Sequence, residues 1–142
     1  MKKAVFVLGL GLALSGAAMA QPYSVTLGGT FGNPNGFSFG FTANNLWNLG
    51  GNAVDGRIIA DLTGSGAVFN FDALFNLPTD TVNFYAGPSL GFTTGGTFLA
   101  GLVGGAEFAL TNQFDLFAEA TLKNYFGSGF AGGFRFGVAY TF

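Results

Sequence analysis

Five acidic side chains have the most obvious capacity for chemistry in this sequence. Asp61, Asp72, Glu107, Asp115 and Glu119 could form an acid–base pair or supply the oxygen ligands of a Ca²⁺ site. The sequence contains no His and no Cys. Because His-based triads, Cys nucleophiles and most transition-metal sites need those residues, such chemistry is excluded. We therefore expect no catalytic residue, no metal, no cofactor and no enzymatic activity.

The alternative for these carboxylates is a polar network inside the protein that neutralises itself. The chain beyond residue 20 holds three basic residues against seven acidic ones, a balance of −4. This balance excludes a nucleic-acid partner, which requires a basic surface. We favour the network over a catalytic or Ca²⁺ site. Its predicted members are Arg57, Asp61, Asp72, Glu107, Glu119, Lys123 and Arg135.

The first 20 residues have the features of a cleaved signal peptide. Lys2 and Lys3 form a positive start, residues 4–14 are apolar, and residues 18–20 form a small-x-small cleavage motif. The apolar run is too short to cross a bilayer as a helix. An amphipathic or membrane helix is the alternative. The predicted division is a signal peptide, 1–20, and one domain, 21–142.

The composition of this domain favours a β-barrel that crosses a membrane. Charged residues make up 8% of the sequence, whereas ordinary soluble domains have about 25%. The sequence has 25 Gly and 19 Phe, and its apolar residues alternate with small or polar ones. Only helices and closed barrels satisfy all backbone groups in lipid, and no apolar run here suits a helix. We predict an all-β fold, an eight-stranded antiparallel up-and-down transmembrane β-barrel.

Alternation and turn residues divide the domain into eight predicted strands. These cover 23–31, 37–44, 54–62, 66–75, 82–92, 98–110, 114–123 and 134–142. The stretch 44–52 is predicted to be irregular. Its Trp47 is predicted to anchor the protein at the membrane interface, with a binding role as the alternative. Pro88 cannot donate to a ladder, so we expect a bulge or a local break there.

The charged residues provide a test of the barrel prediction. If the face carrying Phe, Leu and Val points outward, every strand charge falls on the inner face, and only Asp80 lies in a turn. A bilayer favours this pattern, because Arg or Lys facing lipid at the midplane costs about 2–4 kcal/mol. A soluble β-sandwich is the alternative, but its outer faces would carry many Lys and Glu residues. The pattern therefore favours the barrel.

Hairpin geometry also predicts two ion pairs on the inner face. A two-residue turn at 64–65 places Arg57 opposite Asp72. The last hairpin places Glu119 opposite Arg135. Opposite charges in such cross-strand positions stabilise a sheet.

The last strand carries a resemblance to a known family. Its outward residues resemble the C-terminal signal of small bacterial outer-membrane β-barrel proteins of the OmpA, OmpX and OmpW kind, and 85–92 and 104–108 resemble their strands. The signal residues are Phe134, Phe136, Val138, Tyr140 and Phe142. The resemblance implies location in the bacterial outer membrane. It implies outer-membrane lipid and the outer-membrane assembly machinery as partners, and it leaves room for an envelope protein partner. The predicted outward loops are shorter than those of many family members.

Two functions from different classes follow. The first is a structural or interaction role in the cell envelope for a closed, plugged barrel. The alternative is a narrow porin-like channel or carrier for small polar solutes, because the inner face is rich in Gly. Larger residues on the same face favour filling. They are Ile59, Val68, Leu74, Tyr85, Leu99, Val103 and Phe117.

Overall fold

A computed structural model describes residues 23–142, which form a closed barrel of eight antiparallel strands. The strands are β1 (Tyr23–Gly32), β2 (Gly36–Leu49), β3 (Asn52–Thr63), β4 (Gly66–Pro78), β5 (Val82–Thr93), β6 (Phe98–Ala109), β7 (Phe114–Tyr125) and β8 (Gly129–Thr141). Each strand pairs with the next, and β8 pairs with β1. The prediction of an eight-stranded barrel is thus confirmed. The predicted signal peptide, 1–20, lies outside the described residues. Residues 23–142 include no helix long and apolar enough to span a membrane.

The barrel has two ends that differ in the connections they carry. The end with Tyr23 and Phe142, here called the terminal end, carries the connections 50–51, 79–81 and 110–113. The opposite end, here called the distal end, carries 33–35, 64–65, 94–97 and 126–128. Because all seven connections are short, strand ends and tight turns form both rims of the barrel.

The period of two along each strand sorts the side chains between interior and exterior. The large apolar residues predicted to point inward, from Ile59 to Phe117, are all buried. Exposed Phe, Leu, Ile, Val or Trp side chains come from every strand and form the outer wall, with Phe130 as much as 74% exposed. In the described chain, each charged residue of a strand falls on the inner parity. The outer wall is consequently apolar around its circumference.

Glycine allows the first and last strands to close the barrel. Gly28 faces Gly137 across the β1–β8 pairing. A Cβ atom on either residue would collide with the backbone of the facing strand. At the terminal end, Phe142 N–H donates to Tyr23 O at 2.9 Å. The β1–β8 pairing, here called the glycine seam, therefore depends on Gly28 and Gly137 in its middle and on Phe142 at its terminal end.

The second strand is longer than the sequence predicted. Alternation stops at Asn44, but β2 continues to Leu49. The register shifts between Ala43 and Trp47, and Asn45 has a φ of 55°. This bulge restores pairing with β3 after an irregular segment. The predicted irregular stretch 44–52 is therefore only partly correct: the bulge between Ala43 and Trp47 and the turn 50–51 are irregular, whereas 47–49 pair with β3.

Pro88 produces a milder effect than a bulge. It lies within the continuous strand β5 and pairs with Leu102 of β6. On the other side, the β4 pairing skips Gly87 and Pro88 and then resumes in the same register. The missing N–H of proline is thus accommodated by a local gap in one ladder, without an inserted residue.

Candidate functional site

Glu119 lies at the centre of a hydrogen-bonded cluster inside the barrel. Its carboxylate accepts hydrogen bonds from Arg57 Nη1 at 2.8 Å, Arg135 Nη1 at 2.6 Å and the Tyr85 hydroxyl at 2.8 Å. These residues come from β7, β3, β8 and β5, and each takes the inner parity of its strand. Glu119 therefore ties together strands on opposite parts of the circumference.

Each arginine also binds a second carboxylate. Arg57 donates from Nε and Nη2 to Asp72 Oδ2, at 2.9 and 2.7 Å. Arg135 Nε donates to Asp61 Oδ1 at 2.7 Å. Arg57 is opposite Asp72, and Glu119 is opposite Arg135, as the hairpin geometry predicts. The cross-strand pairs thus form parts of one continuous network.

Lys123 joins this network through an amide. Its Nζ donates to Asn70 Oδ1 at 2.7 Å and lies 3.8 Å from Asp61 Oδ2. Asn70 Nδ2 in turn donates to Asp61 Oδ2 at 3.2 Å. Asn70 is completely buried, so both ends of its side chain are used inside the protein.

Three cations and three carboxylates make this cluster formally neutral. We call it the inner charge network: Arg57, Asp61, Asp72, Glu119, Lys123 and Arg135, each no more than 5% exposed. Buried charges are tolerated when they are paired and hydrogen-bonded. Because guanidinium groups hold these carboxylates, the geometry fits a polar plug better than an acid–base pair. No group of three or more metal-ligating residues that could hold an ion occurs within residues 23–142.

Glu107 is the exception among the predicted network residues. It accepts a hydrogen bond from Asn83 Nδ2 at 3.3 Å, and no ion pair joins it to a base in the described chain. It lies near the end of β6, two residues before Ala109. The alternation along a strand predicts which face a side chain points to, but it does not predict how far along the barrel axis that side chain lies. Its predicted membership of the network is therefore wrong.

A cavity of about 540 Å³ opens at the terminal end. Asp55, Glu107, Asp115 and several Asn residues line it. Asp80 lies in the connection 79–81 at the same end. Since the inner charge network is neutral, these four carboxylates account for the balance of −4 in the described chain. The net charge of residues 23–142 is thus confined to one end of the barrel.

A second cavity, of about 600 Å³, opens at the distal end. Its lining comes from three of the four distal connections and the adjoining strand ends, and none of the lining residues is charged. The buried Tyr125 hydroxyl oxygen has no hydrogen-bond partner in the part of the chain that the structure describes. The two cavities share no lining residue, and along β3 the inner charge network lies between them. We call them the terminal cavity and the distal cavity.

The other predicted site residues lie on the outer wall or at its edge. Trp47 is 57% exposed on β2, in the part of the strand nearest the terminal end. Phe134, Phe136 and Val138 are exposed on β8. Tyr140 and Phe142 have ring centroids 6.0 Å apart and lie where the barrel closes. These positions suit an interface anchor and an assembly signal, and both roles remain predictions.

The sequence predicts no contact for three further side chains of the interior and the distal cavity, namely Asn70, Tyr85 and Tyr125. The sequence predicts Tyr85 on the inner face, but it predicts neither the Tyr85–Glu119 nor the Asn70–Lys123 hydrogen bond. Tyr125 was not assigned to any site. The sequence shows only that these residues share the inner face of their strands with nearby charged residues. That pattern cannot reveal a contact between strands that are distant in sequence.

Solved structures establish the fold by comparison. A de novo designed transmembrane β-barrel is similar with a TM-score of 0.66 and 11% identity, covering 85% of this chain and 95% of that one. Ail of Yersinia pestis, an outer membrane protein in a phospholipid bilayer nanodisc, has a TM-score of 0.58 and 13% identity, covering 87% and 100%. Neisserial surface protein A has a TM-score of 0.53 and 15% identity, covering 86% and 96%.

Sequence comparison adds no closer assignment. No family model matches the chain, and no curated protein is significantly similar to it. The structural similarities alone show that the chain has the fold of the small eight-stranded outer-membrane barrels.

Proposed function

We propose that this protein is an integral outer-membrane β-barrel with a closed interior and a structural or interaction role in the cell envelope. The outer wall carries this proposal: exposed apolar side chains come from every strand, while the strand charges take the inner parity. In water such a wall would promote aggregation, since soluble monomers rarely expose apolar patches beyond a few hundred Å². In a bilayer the same apolar wall faces lipid, as the outer surface of transmembrane barrels does.

The direct partners in this proposal are outer-membrane lipid and the outer-membrane assembly machinery. The β8 residues from Phe134 to Phe142 present an aromatic outer face for the machinery. The terminal end faces the periplasm and the distal end faces outward, because an exported barrel with an even number of strands has both chain termini on the periplasmic side. Trp47, near the terminal end, anchors the barrel at the inner interface.

A closed interior distinguishes this role from the porin-like alternative. Arg57, Glu119 and Arg135 join three strands across the middle of the barrel and are all nearly inaccessible. An eight-stranded barrel has an interior that side chains can fill. The network therefore favours a plug over a pathway for small polar solutes. We propose no catalytic activity, because its carboxylates are committed to guanidinium groups.

Fractionation and gel mobility test the proposed location and fold together. The protein should sediment with outer membranes and resist alkaline extraction. Unheated samples in SDS should migrate differently from boiled ones, because a closed barrel keeps its hydrogen bonds until heated. Recovery as a soluble monomer, or a mobility that does not depend on heating, would contradict the proposal.

Planar bilayer recording tests the closed interior separately. Purified protein should insert without producing discrete conductance steps, whereas a porin at the same amount gives steps and serves as the control. Regular steps that scale with protein amount would favour the channel alternative and overturn the plug.

A further inference from the structure

We propose that the distal cavity binds a neutral saccharide unit. This inference rests on the proposed function, in which the distal end faces the outside of the cell. The cavity volume of about 600 Å³ falls within the range of about 300–1,000 Å³ that is typical of small-ligand sites. One or two sugar rings are therefore of suitable size.

The lining of the distal cavity has the chemistry that sugars require. It combines side-chain hydroxyls and amides with glycine backbone from the turns, and it contains no charged residue. Among residues 23–142 the Asn33 side chain makes no hydrogen bond, and Asn35 uses only its Oδ1, which accepts from Gly32 N–H at 2.9 Å. The amide groups that remain can both donate to and accept from sugar hydroxyls.

Tyr125 provides a second and independent observation. It is the only aromatic residue in the described lining, and its buried hydroxyl has no hydrogen-bond partner among residues 23–142. A buried polar group without a partner destabilises the protein that contains it. The oxygen is closed off from the cavity in the free barrel, so a sugar hydroxyl reaches it only when the Tyr125 side chain turns toward the ligand, and that contact then recovers part of the cost. The position therefore favours a hydroxyl-rich ligand over an apolar one.

The electrostatics of the cavity select against charged ligands. The charged groups nearest the Tyr125 hydroxyl are Asp61 and Arg135, and these two are buried and bound to each other. The nearest basic group on β7, Lys123, is 1% exposed and already donates to Asn70. A carboxylated or amino sugar would lose hydration without gaining an opposite charge. We therefore expect discrimination in favour of neutral sugars.

Hydrogen bonds within the turns organise the rim before any ligand binds. Thr93 N–H donates to Thr97 O at 2.8 Å, and Thr94 N–H donates to Ala67 O at 2.9 Å, which joins the β5–β6 connection to β4. Thr63 Oγ1 donates to Gly66 O at 3.0 Å. Such preorganisation reduces the entropy lost on binding.

Amide chemical shifts of the purified protein test this site. The protein is held in a zwitterionic detergent without a sugar headgroup, and maltose or lactose is added to millimolar concentration. We expect saturable shifts at Gly64, Ser65 and Tyr125, with none at Asn52 on the opposite rim. Glucuronate and glucosamine serve as charged probes of similar size, and they should produce much smaller shifts.

A second arm identifies the source of the saccharide. The same spectra are recorded in nanodiscs with and without a glycolipid that carries a neutral disaccharide headgroup. Shifts with soluble sugar support a free glycan, and shifts only with the glycolipid support a membrane headgroup. Both outcomes support the proposed saccharide chemistry.

Matched substitutions connect binding to the cavity. Tyr125→Phe removes only the hydroxyl and should weaken binding about five- to tenfold. Asn33→Ala should weaken it similarly, while Asn52→Ala, which removes an amide from the terminal cavity, should leave it unchanged. The inference is overturned if neutral sugars cause no shift in either arm, if charged sugars bind as well, or if Tyr125→Phe and Asn33→Ala both bind normally. Failure of outer-membrane fractionation would instead count against the proposed function.

Discussion

Glu119 is the residue on which the interior most depends. Its carboxylate is the common acceptor for two guanidinium groups and a phenol, and it joins the Arg57–Asp72 and Arg135–Asp61 pairs. Removing one partner from a buried ion pair leaves an uncompensated charge, which costs far more than the net contribution of the pair. At the scale of single residues, the barrel should therefore be most sensitive at this position.

Glu119→Gln should destabilise the folded barrel by about 3–5 kcal/mol, because Arg57 and Arg135 then lose their shared negative partner. Urea unfolding in lipid vesicles measures the change. Glu107→Gln is the matched control: it makes the same substitution outside the inner charge network and should cost less than about 1 kcal/mol. Equal effects of the two substitutions would contradict a network centred on Glu119.

At the scale of strands, the alternation and turn chemistry predicted the parity of side chains, the eight strands and the Arg57–Asp72 pairing. These features are local, since each depends on a period of two or on one tight turn. The extension of β2 and the position of Glu107 depend on a bulge and on height along the axis. A bulge depends on pairing with the neighbouring strand, and height along the axis depends on the register of the whole barrel. The alternation within one strand therefore could not predict either feature.

The glycine seam gives a test at the same scale. Gly28→Ala places a Cβ against the backbone oxygen of Phe136 and should force β1 and β8 apart, at a cost of about 1–3 kcal/mol. Gly104→Ala is a suitable control, because its Cβ would meet only ordinary contacts near 3.8 Å and should cost within about 0.5 kcal/mol. The fraction with folded mobility in unheated SDS gels, measured across urea concentrations, compares them. A normal Gly28→Ala barrel would disprove the close approach.

Deletion of Phe142 tests the proposed assembly signal. The residue pairs with Tyr23 through backbone hydrogen bonds, and their ring centroids lie 6.5 Å apart. We expect strongly reduced outer-membrane levels in cells, while folding of purified chains in detergent changes less. Phe126→Ala removes another exposed aromatic side chain from a distal turn and should retain normal levels. Normal levels of the deletion variant would remove the assembly role from β8.

At the scale of the whole molecule, charge is arranged along the barrel axis. The distal cavity has an uncharged lining and the inner charge network is neutral. The four carboxylates at the terminal end form no ion pair among residues 23–142. In the proposed orientation the acidic end faces the periplasm and the uncharged cavity faces outward. The apolar wall between them contacts lipid. This arrangement requires that the two ends lie on opposite sides of one membrane.

Single-cysteine labelling tests that requirement most directly, and the absence of native Cys makes each introduced thiol unambiguous. Ser65→Cys lies in a distal turn and Asn52→Cys lies on the terminal rim. A membrane-impermeant maleimide should label Ser65→Cys in intact cells, but Asn52→Cys only after the outer membrane is permeabilised. Labelling of both positions in intact cells, or of neither until the cells are lysed, would contradict a barrel that spans the outer membrane.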